Sequence, residues 1–579
     1  MRRRRRRAWC MWDRRADIRS NRSPTVRERR TVRDRGGTVA SGRRLELSWS
    51  NKDMRLLSHG ADRYEWVQPT DWRVSEVRLL DEVADVGEEP EGNLVIHGDA
   101  LHALTSLTAT PELAEAYVGK VKLCYIDPPF NTGETFKDYD DAVEHSVWLT
   151  MLRDRLVQIR RLLADDGSVW VHLDDAEQHR ARCVLDEVFG VQNFVATVIW
   201  KKSHSRNNSA QHFSSDHDFI HVYARNKDAW RRNRVSRTAK SDADFWNPDG
   251  DPRGDWRRSD LTAAKPYSDG AYEVVGPHGD VFTPRAGRFW GLSRESFEEL
   301  RADNRLWWGK TGRTFPFRKR FKSELGGLVP TTVWPDEEVG NNREAKGEIV
   351  ALLGRKAIFA TPKPERLMEQ IIHIASEPGD VVLDCFAGSG TTAAVAHKMG
   401  RRYVTVELSE DNLETYVRPR LEKVVKGEDP GGVTGSTGWS GGGGFRLLRV
   451  APSMFEADED GDLFLADWAV GGDLARAVCA QVRYDYEPAG PFTGRKGRSR
   501  LAVLDGMLTA GVAELLLSKL ADKETLLVVA QAIEPEAEEL LTARRGGSKV
   551  RKMPRDLARR GILPSRLVTL TSTPDGATS

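Results

Sequence analysis

The tetrapeptide Asp127-Pro128-Pro129-Phe130 ends an apolar run, VKLCYI (121–126), that reads as a buried strand. In open α/β sheets, ligands sit just beyond the carboxyl ends of the strands. A carboxylate and a carbonyl placed there can accept both hydrogens of an exocyclic amine. Such an amine is a poor nucleophile, because its lone pair is delocalised into the ring. Accepting both hydrogens favours a pyramidal nitrogen and frees the lone pair for in-line attack on a methyl sulfonium. This is positioning and electrostatics more than strong-base chemistry. Pro128 and Pro129 restrict the loop and preorganise its acceptors, and Phe130 offers a face to a base taken out of its stack. Read alone, the tetrapeptide is equally an ordinary proline turn with a buried Phe.

A second chemical segment lies far along the chain. VLDCFAGSGTTA (382–393) places Gly388 and Gly390 between a strand and a helix. Glycines there allow a tight turn and a close ligand approach, and the helix N-terminus offers free N–H groups to an anion. Glu407 ends the next strand, YVTVEL (403–408), where an acid can grip ribose hydroxyls. Gly388-x-Gly390-x-x-Ala393 also satisfies a dinucleotide-binding pattern, so a nicotinamide oxidoreductase competes on this segment alone. Such an enzyme has no use for Asp127-Pro128-Pro129-Phe130, and the two motifs together favour methyl transfer.

At these residues the sequence resembles the β class of amino-methyltransferases acting on DNA, with the D-P-P-F motif first, an irregular middle, and the F-A-G-S-G loop last. Within that class it is most similar to the modification subunits of type III restriction–modification systems and related adenine-specific enzymes. The resemblance runs from about residue 47 to residue 453. It implies that Asp127, Pro128, Pro129 and Phe130 are catalytic and that S-adenosylmethionine is the cofactor. Asp384, Phe386, Gly388 and Gly390 match the cofactor loop, Thr391 and Thr392 would meet the methionine carboxylate, and Glu407 the ribose. Asp99 in IHGDAL would lie near the cofactor's adenine. Thr361 and Lys363 in TPKP would close over the methionine moiety. An Asp at the first catalytic position favours adenine N6 over cytosine N4. The resemblance further implies double-stranded DNA as substrate, a homodimer and a helicase–nuclease restriction partner. Its fold would be a Rossmann-like α/β methyltransferase core with a target-recognition insert and a small C-terminal α/β accessory domain.

The elements that must position these residues follow from periodicity. NLVIHGDALHAL (93–104) reads as strand, loop and helix. Val147, Met151, Leu152, Leu156, Ile159 and Leu163 recur at helical spacing. DDG (165–167) should stop that helix before a strand, SVWVHLD (168–174). FVATVIW (194–200) and DFIHVYA (218–224) read as further strands, and 363–376 as a helix. Residues 1–44 are Arg-rich and lack apolar periodicity, which reads as a disordered tail or a nucleic-acid arm. The expected divisions are the first part of the core over 45–200, a target-recognition region over 201–350 and the second part of the core over 351–430. A flexible Gly-rich linker, 431–444, and an accessory domain, 445–579, follow.

Composition narrows the class. Hydrophobic residues at 39% and charged residues at 30% suit a globular chain with a sizeable core. There is neither an apolar run of the roughly 18 residues a membrane span needs nor the apolar stretch of a secretory signal, so a cytoplasmic protein without membrane contact is expected. Five cysteines, Cys10, Cys124, Cys183, Cys385 and Cys479, form no C-x-x-C pair, and no metal is expected. His204, His212, His217 and His221 read as ordinary loop and strand histidines. The net charge of +2 is uneven: residues 1–44 hold 17 arginines against 4 acids, so the remainder is net acidic and any nucleic-acid surface must be local. Beside WKKSHSR (200–206), the candidate patch is RLWWGKTGRTFPFRKRFKS (305–323). It mixes Lys310, Arg313, Arg318, Lys319, Arg320 and Lys322 with Trp307, Trp308, Phe315, Phe317 and Phe321. The same composition suits a hairpin with solvated charges and core aromatics. Activity on cytosine N4 or RNA, and a specificity subunit serving a nuclease, remain alternatives.

Overall fold

The computed structural model describes residues 46–58, 64–88, 92–131, 144–266 and 268–558; the Arg-rich head and residues 559–579 lie outside the described residues. A ten-stranded sheet carries the candidate chemistry. Its strands in chain order are β1 (Leu80–Gly87), β2 (Leu94–His97), β3 (Val121–Ile126), β4 (Leu163–Leu173) and β5 (Phe194–Lys201). They continue as β6 (His217–Ala224), β7 (Val333–Trp334), β8 (Val381–Asp384), β9 (Arg402–Glu407) and β10 (Gly444–Val450). The spatial order is β7-β5-β6-β4-β3-β8-β9-β2-β10-β1. From β4 to β10 every pairing is parallel, while β1, and β6 against both its neighbours, run antiparallel.

Strands β2, β3 and β8 are apolar along almost their whole length because helices cover both faces of the sheet. On one side Leu94, Cys124 and Leu383 pack with Trp148, Leu152, Leu156 and Ile159 of α2 (His145–Leu162), which follows α1 (Ala100–Ala109) in the chain. On the other, Val95, Leu123 and Val382 meet Leu367, Met368 and Ile371 of α3 (Glu365–Ala375) and Val395 of α4 (Thr391–Lys398). The strand after α2 begins directly at Leu163, because Val121 pairs with Leu163 before the register shifts across Asp165-Asp166-Gly167.

Three expected boundaries move. Strands β6 and β7 belong to the main sheet although both fall within 201–350, so the insert proper lies between them. It has its own core of Leu261, Val274, Trp290, Phe297, Leu306 and Trp308, and a small sheet of Leu306–Trp307, Phe317–Phe321 and Trp256–Ser259. The stretch 431–444 is docked rather than a flexible linker. Val433 is buried, the Trp439 indole donates to Val424 O (2.8 Å), and His397 Nε2 meets Gly442 O (2.9 Å). The core sheet then extends to Val450 through β10, which pairs with β2 and β1. The remaining C-terminal residues build a five-stranded sheet in which Ser499–Leu508 and Thr525–Ile533 pair in parallel. Leu474, Val478 and Val529 share a core with Val77, Leu79 and Ala109, which ties this sheet to the main one.

Candidate active site

The sheet order makes β3 and β8 neighbours, with Cys124 opposite Leu383, so the loops after both strands open at one edge. Asp127, Pro128, Pro129 and Phe130 there share one cavity of about 670 Å³ with the glycine loop. The 127–130 loop is pinned. The Trp148 indole donates to Pro129 O (2.7 Å), and Asn131, at φ +61°, donates from Nδ2 to the buried Glu177 Oε1 (2.8 Å). Lys363 Nζ ion-pairs with Asp127 Oδ2, while Oδ1 is buried without a hydrogen-bond partner among the described residues. An acceptor stripped of water and left unmatched calls for a donor.

Phe130 lies on His172, with ring centroids 5.8 Å apart and planes 29° from parallel. His172 is fully buried on β4. Its Nδ1 meets the Tyr125 hydroxyl (2.8 Å) and its Nε2 meets Asp218 Oδ2 (3.2 Å) on β6. Burial, then nearby Lys363, pushes the imidazole below its ordinary range. The ring is therefore neutral, donating from Nε2 to the carboxylate and accepting from the phenol. Lys202 Nζ completes the chain at Asp218 Oδ1 (2.7 Å). Motif reading missed this floor. Its signal was polar residues inside apolar runs, His172 in SVWVHLD and Asp218 at the start of DFIHVYA, each of which needs a buried partner.

Opposite lies the glycine loop. Gly388 (φ +54°) and Gly390 (φ +73°) take left-handed backbone, and a Cβ on Gly388 would meet the Phe359 ring at 3.3 Å. Gly388 N donates to Glu407 Oε2 (2.8 Å) and Ser409 N to Oε1 (3.0 Å), so the acid is fixed while burial raises its carboxyl above the usual range. Phe386 N donates to Asp384 Oδ1 (3.0 Å), and burial pushes that carboxyl up to about 7. Asp99 caps α1 through Leu101 N (2.6 Å) and is gripped by Arg155 Nη2 (3.0 Å). Asp99, Thr361, Lys363, Asp384, Phe386, Gly388, Thr391, Thr392 and Glu407 all line the cavity. Gly390 instead caps α4, packed against Val417. Thr391 Oγ1 accepts from Arg420 Nη1 (2.8 Å), a buried guanidinium that also holds Glu365 (2.7 Å), so the helix N-terminus is braced from behind.

The family model described as DNA methylase (N6_N4_Mtase) matches residues 121–418, just over half of the chain and both loops of this cavity. The chain belongs to this family. The DNA methylase fold is accordingly what the α/β sheet and its paired loops represent. Among similar sequences, the StyLTI Mod subunit of a type III restriction–modification enzyme from Salmonella typhimurium is 32% identical over 52% of this chain and 49% of its own. The type II methyltransferase M.EcaI of Enterobacter cloacae is 28% identical over 55% of this chain and 68% of its own. The chain thus spans about half the length of the Mod subunit it matches. Among solved structures, the PvuII DNA methyltransferase (cytosine-N4-specific) aligns at 16% identity over 58% of this chain and 89% of its own, with a TM-score of 0.31.

The expected DNA patch divides. Along Phe317–Phe321 side chains alternate, so Phe317, Lys319 and Phe321 turn one way and Arg318 and Arg320 the other. Lys319 is 1% exposed and ion-pairs with Asp249 and Asp251, so it is a core cation and not the expected phosphate contact. Lys310, Arg313 and Arg320 are exposed, Lys322 pairs with Asp242 (3.0 Å), and Arg313 lies 3.5 Å from Asp280. The aromatics expected to stack on bases mostly build the insert instead. Trp308 and Phe321 are buried, and Phe315 stacks on Trp290 at 5.3 Å. Of the four histidines, His221 is buried on β6 against Thr197 and the Gln178 carbonyl, and His204 pairs with Asp336 (2.7 Å).

Proposed function

We propose that this chain is a site-specific DNA methyltransferase acting on adenine N6 in double-stranded DNA. We further propose that it is the modification component of a restriction–modification system, a dimer in the cytoplasm with a helicase–nuclease partner. The observation that carries the reading is that Asp127, with one carboxylate oxygen unmatched, lines one cavity with the glycine loop. Similarity to the StyLTI Mod subunit supports the assignment to such a system.

The residues present suit S-adenosylmethionine. Glu407 offers a fixed carboxylate for two hydroxyls, Asp384 an acid able to face a cation, and Gly388 a left-handed backbone where a Cβ would crowd Phe359. When bound, this cofactor supplies a methyl group on a sulfonium. Asp127 Oδ1 and the Pro128 carbonyl accept the two hydrogens of the target amine and free its lone pair. Phe130, supported by His172, stacks on the flipped base. Lys363, ion-paired with Oδ2, orients the Asp127 carboxylate. The proton released by the amine passes to Asp127 and on to solvent.

The test is incubation of purified protein with unmethylated DNA and radiolabelled S-adenosylmethionine, beside Asp127→Ala, with the labelled nucleoside identified. N6-methyladenine that disappears in the variant is expected. Label on cytosine N4 overturns the base assignment, and absence of both label and cofactor binding overturns the reading.

A further inference from the structure

The hairpin joining β5 to β6 spans residues 202–216 and ends at the active site. Lys202 and Ser215 at its root line the cavity, and Lys202 is tied to Asp218 beneath Phe130. The loop is built, not slack. Lys202 N bonds Asp216 O (2.9 Å), Asn207 N bonds Ser214 Oγ (2.8 Å), and the Asn207 side chain accepts from Ser209 N and Oγ (3.1 and 2.7 Å). On this scaffold Phe213 is 92% exposed, the most exposed large apolar side chain among the described residues. It is two residues from Ser215. Its neighbours Arg206, Asn207, Asn208, Gln211 and His212 are exposed and polar or basic, and from Lys201 to Ser215 no acid occurs.

A lone aromatic in a polar, basic setting lacks the contiguous apolar core of a protein interface and the apolar area a bilayer needs. It suits a polyanion with flat apolar faces inside. Proteins that unstack bases insert such side chains between base steps, and enzymes that act on a base must first remove it from the helix.

We propose that Phe213 is a wedge that enters the DNA base stack beside the target adenine and fills the space it leaves, with Arg206 on an adjacent phosphate. This rests on the methyltransferase reading above. The hairpin runs into β6, whose Asp218 holds both Lys202 at the hairpin root and His172 in the floor of the base pocket, so insertion at one is registered with reception at the other.

The experiment uses the full chain. Sites methylated by the wild type on plasmid DNA are mapped by sequencing and copied into two duplexes, one with thymine opposite the target adenine and one with an abasic residue there. Phe213→Ala should lose about tenfold or more in kcat/KM on the paired duplex and little on the abasic one, where the base is already free to leave. Phe213→Trp should retain activity on both, and cofactor affinity should be unchanged. Equal loss on both duplexes, or no loss on either, overturns the wedge. Methylation of plasmid by the wild type separates this failure from failure of the parent reading, since a wild type that methylates nothing removes both.

Discussion

Lys363 Nζ is ion-paired with Asp127 Oδ2 across 236 residues of sequence, and the same ammonium stands 5.2 Å from the Phe130 ring centroid. The pair fixes which carboxylate oxygen is engaged by protein and which is left for a ligand. Replacing Lys363 with Met should lower the single-turnover methylation rate by about 10- to 100-fold, the range of a positioned charge acting on a proton-accepting group. Cofactor affinity should change little, and Lys363→Arg should recover part of the rate. Loss of cofactor binding to the same extent as rate would assign the lysine to the cofactor instead.

Asp384 gives a pH signature. Its buried carboxyl titrates at about 7, so below that pH the free protein holds it protonated and neutral. A cationic ligand favours the carboxylate and lowers that value. Binding of S-adenosylmethionine at pH 6 should therefore release protons, affinity should rise as pH increases through 7, and both effects should fade by pH 8.5. Calorimetry in buffers of different ionisation enthalpy reads the release, which Asp384→Asn should reduce.

His172 should act through Phe130. Each single change to alanine removes one half of the stack, and once Phe130 is absent the imidazole has nothing left to support. Rates for His172→Ala, Phe130→Ala and the double variant should be strongly non-additive, with the double variant close to Phe130→Ala alone. Additive losses would mean that His172 serves the fold, which thermal melting of the same set would register.

The insert's basic strand should separate stability from binding. Lys319→Met leaves Asp249 and Asp251 without their buried cation and should cost about 3 kcal/mol, the lower end for removing one partner of a buried pair. The salt dependence of DNA affinity should be unaltered. Charge reversal at Arg318 and Arg320 should weaken DNA binding and reduce the slope of log K against log salt by roughly one for each phosphate no longer neutralised. An unchanged slope would place the DNA on another face.

Local order carried most of the recognition. Asp127-Pro128-Pro129-Phe130 after an apolar strand, and Gly388 and Gly390 between a strand and a helix, are short segments whose chemistry is set by residue type and immediate neighbours. The strands β3 and β8 beneath them were readable because strands buried on both faces must be apolar throughout. Their adjacency was not, since pairing of Cys124 opposite Leu383 is decided by how the whole sheet is ordered. For the same reason Tyr125, His172 and Asp218, on three different strands, became one hydrogen-bonded floor only in the fold. Composition misjudged Lys319 and residues 431–444 because a lysine's environment, and a glycine segment's freedom, depend on what packs against them. Asp249 and Asp251 turn the lysine inward, and Val424 and His397 hold the glycine segment down. Residue type and local order named the groups that could do the chemistry; burial, which strips water from Asp127 Oδ1 and raises the Asp384 carboxyl to about 7, arises in the packed fold, because desolvation belongs to the interior and not to any segment of the chain.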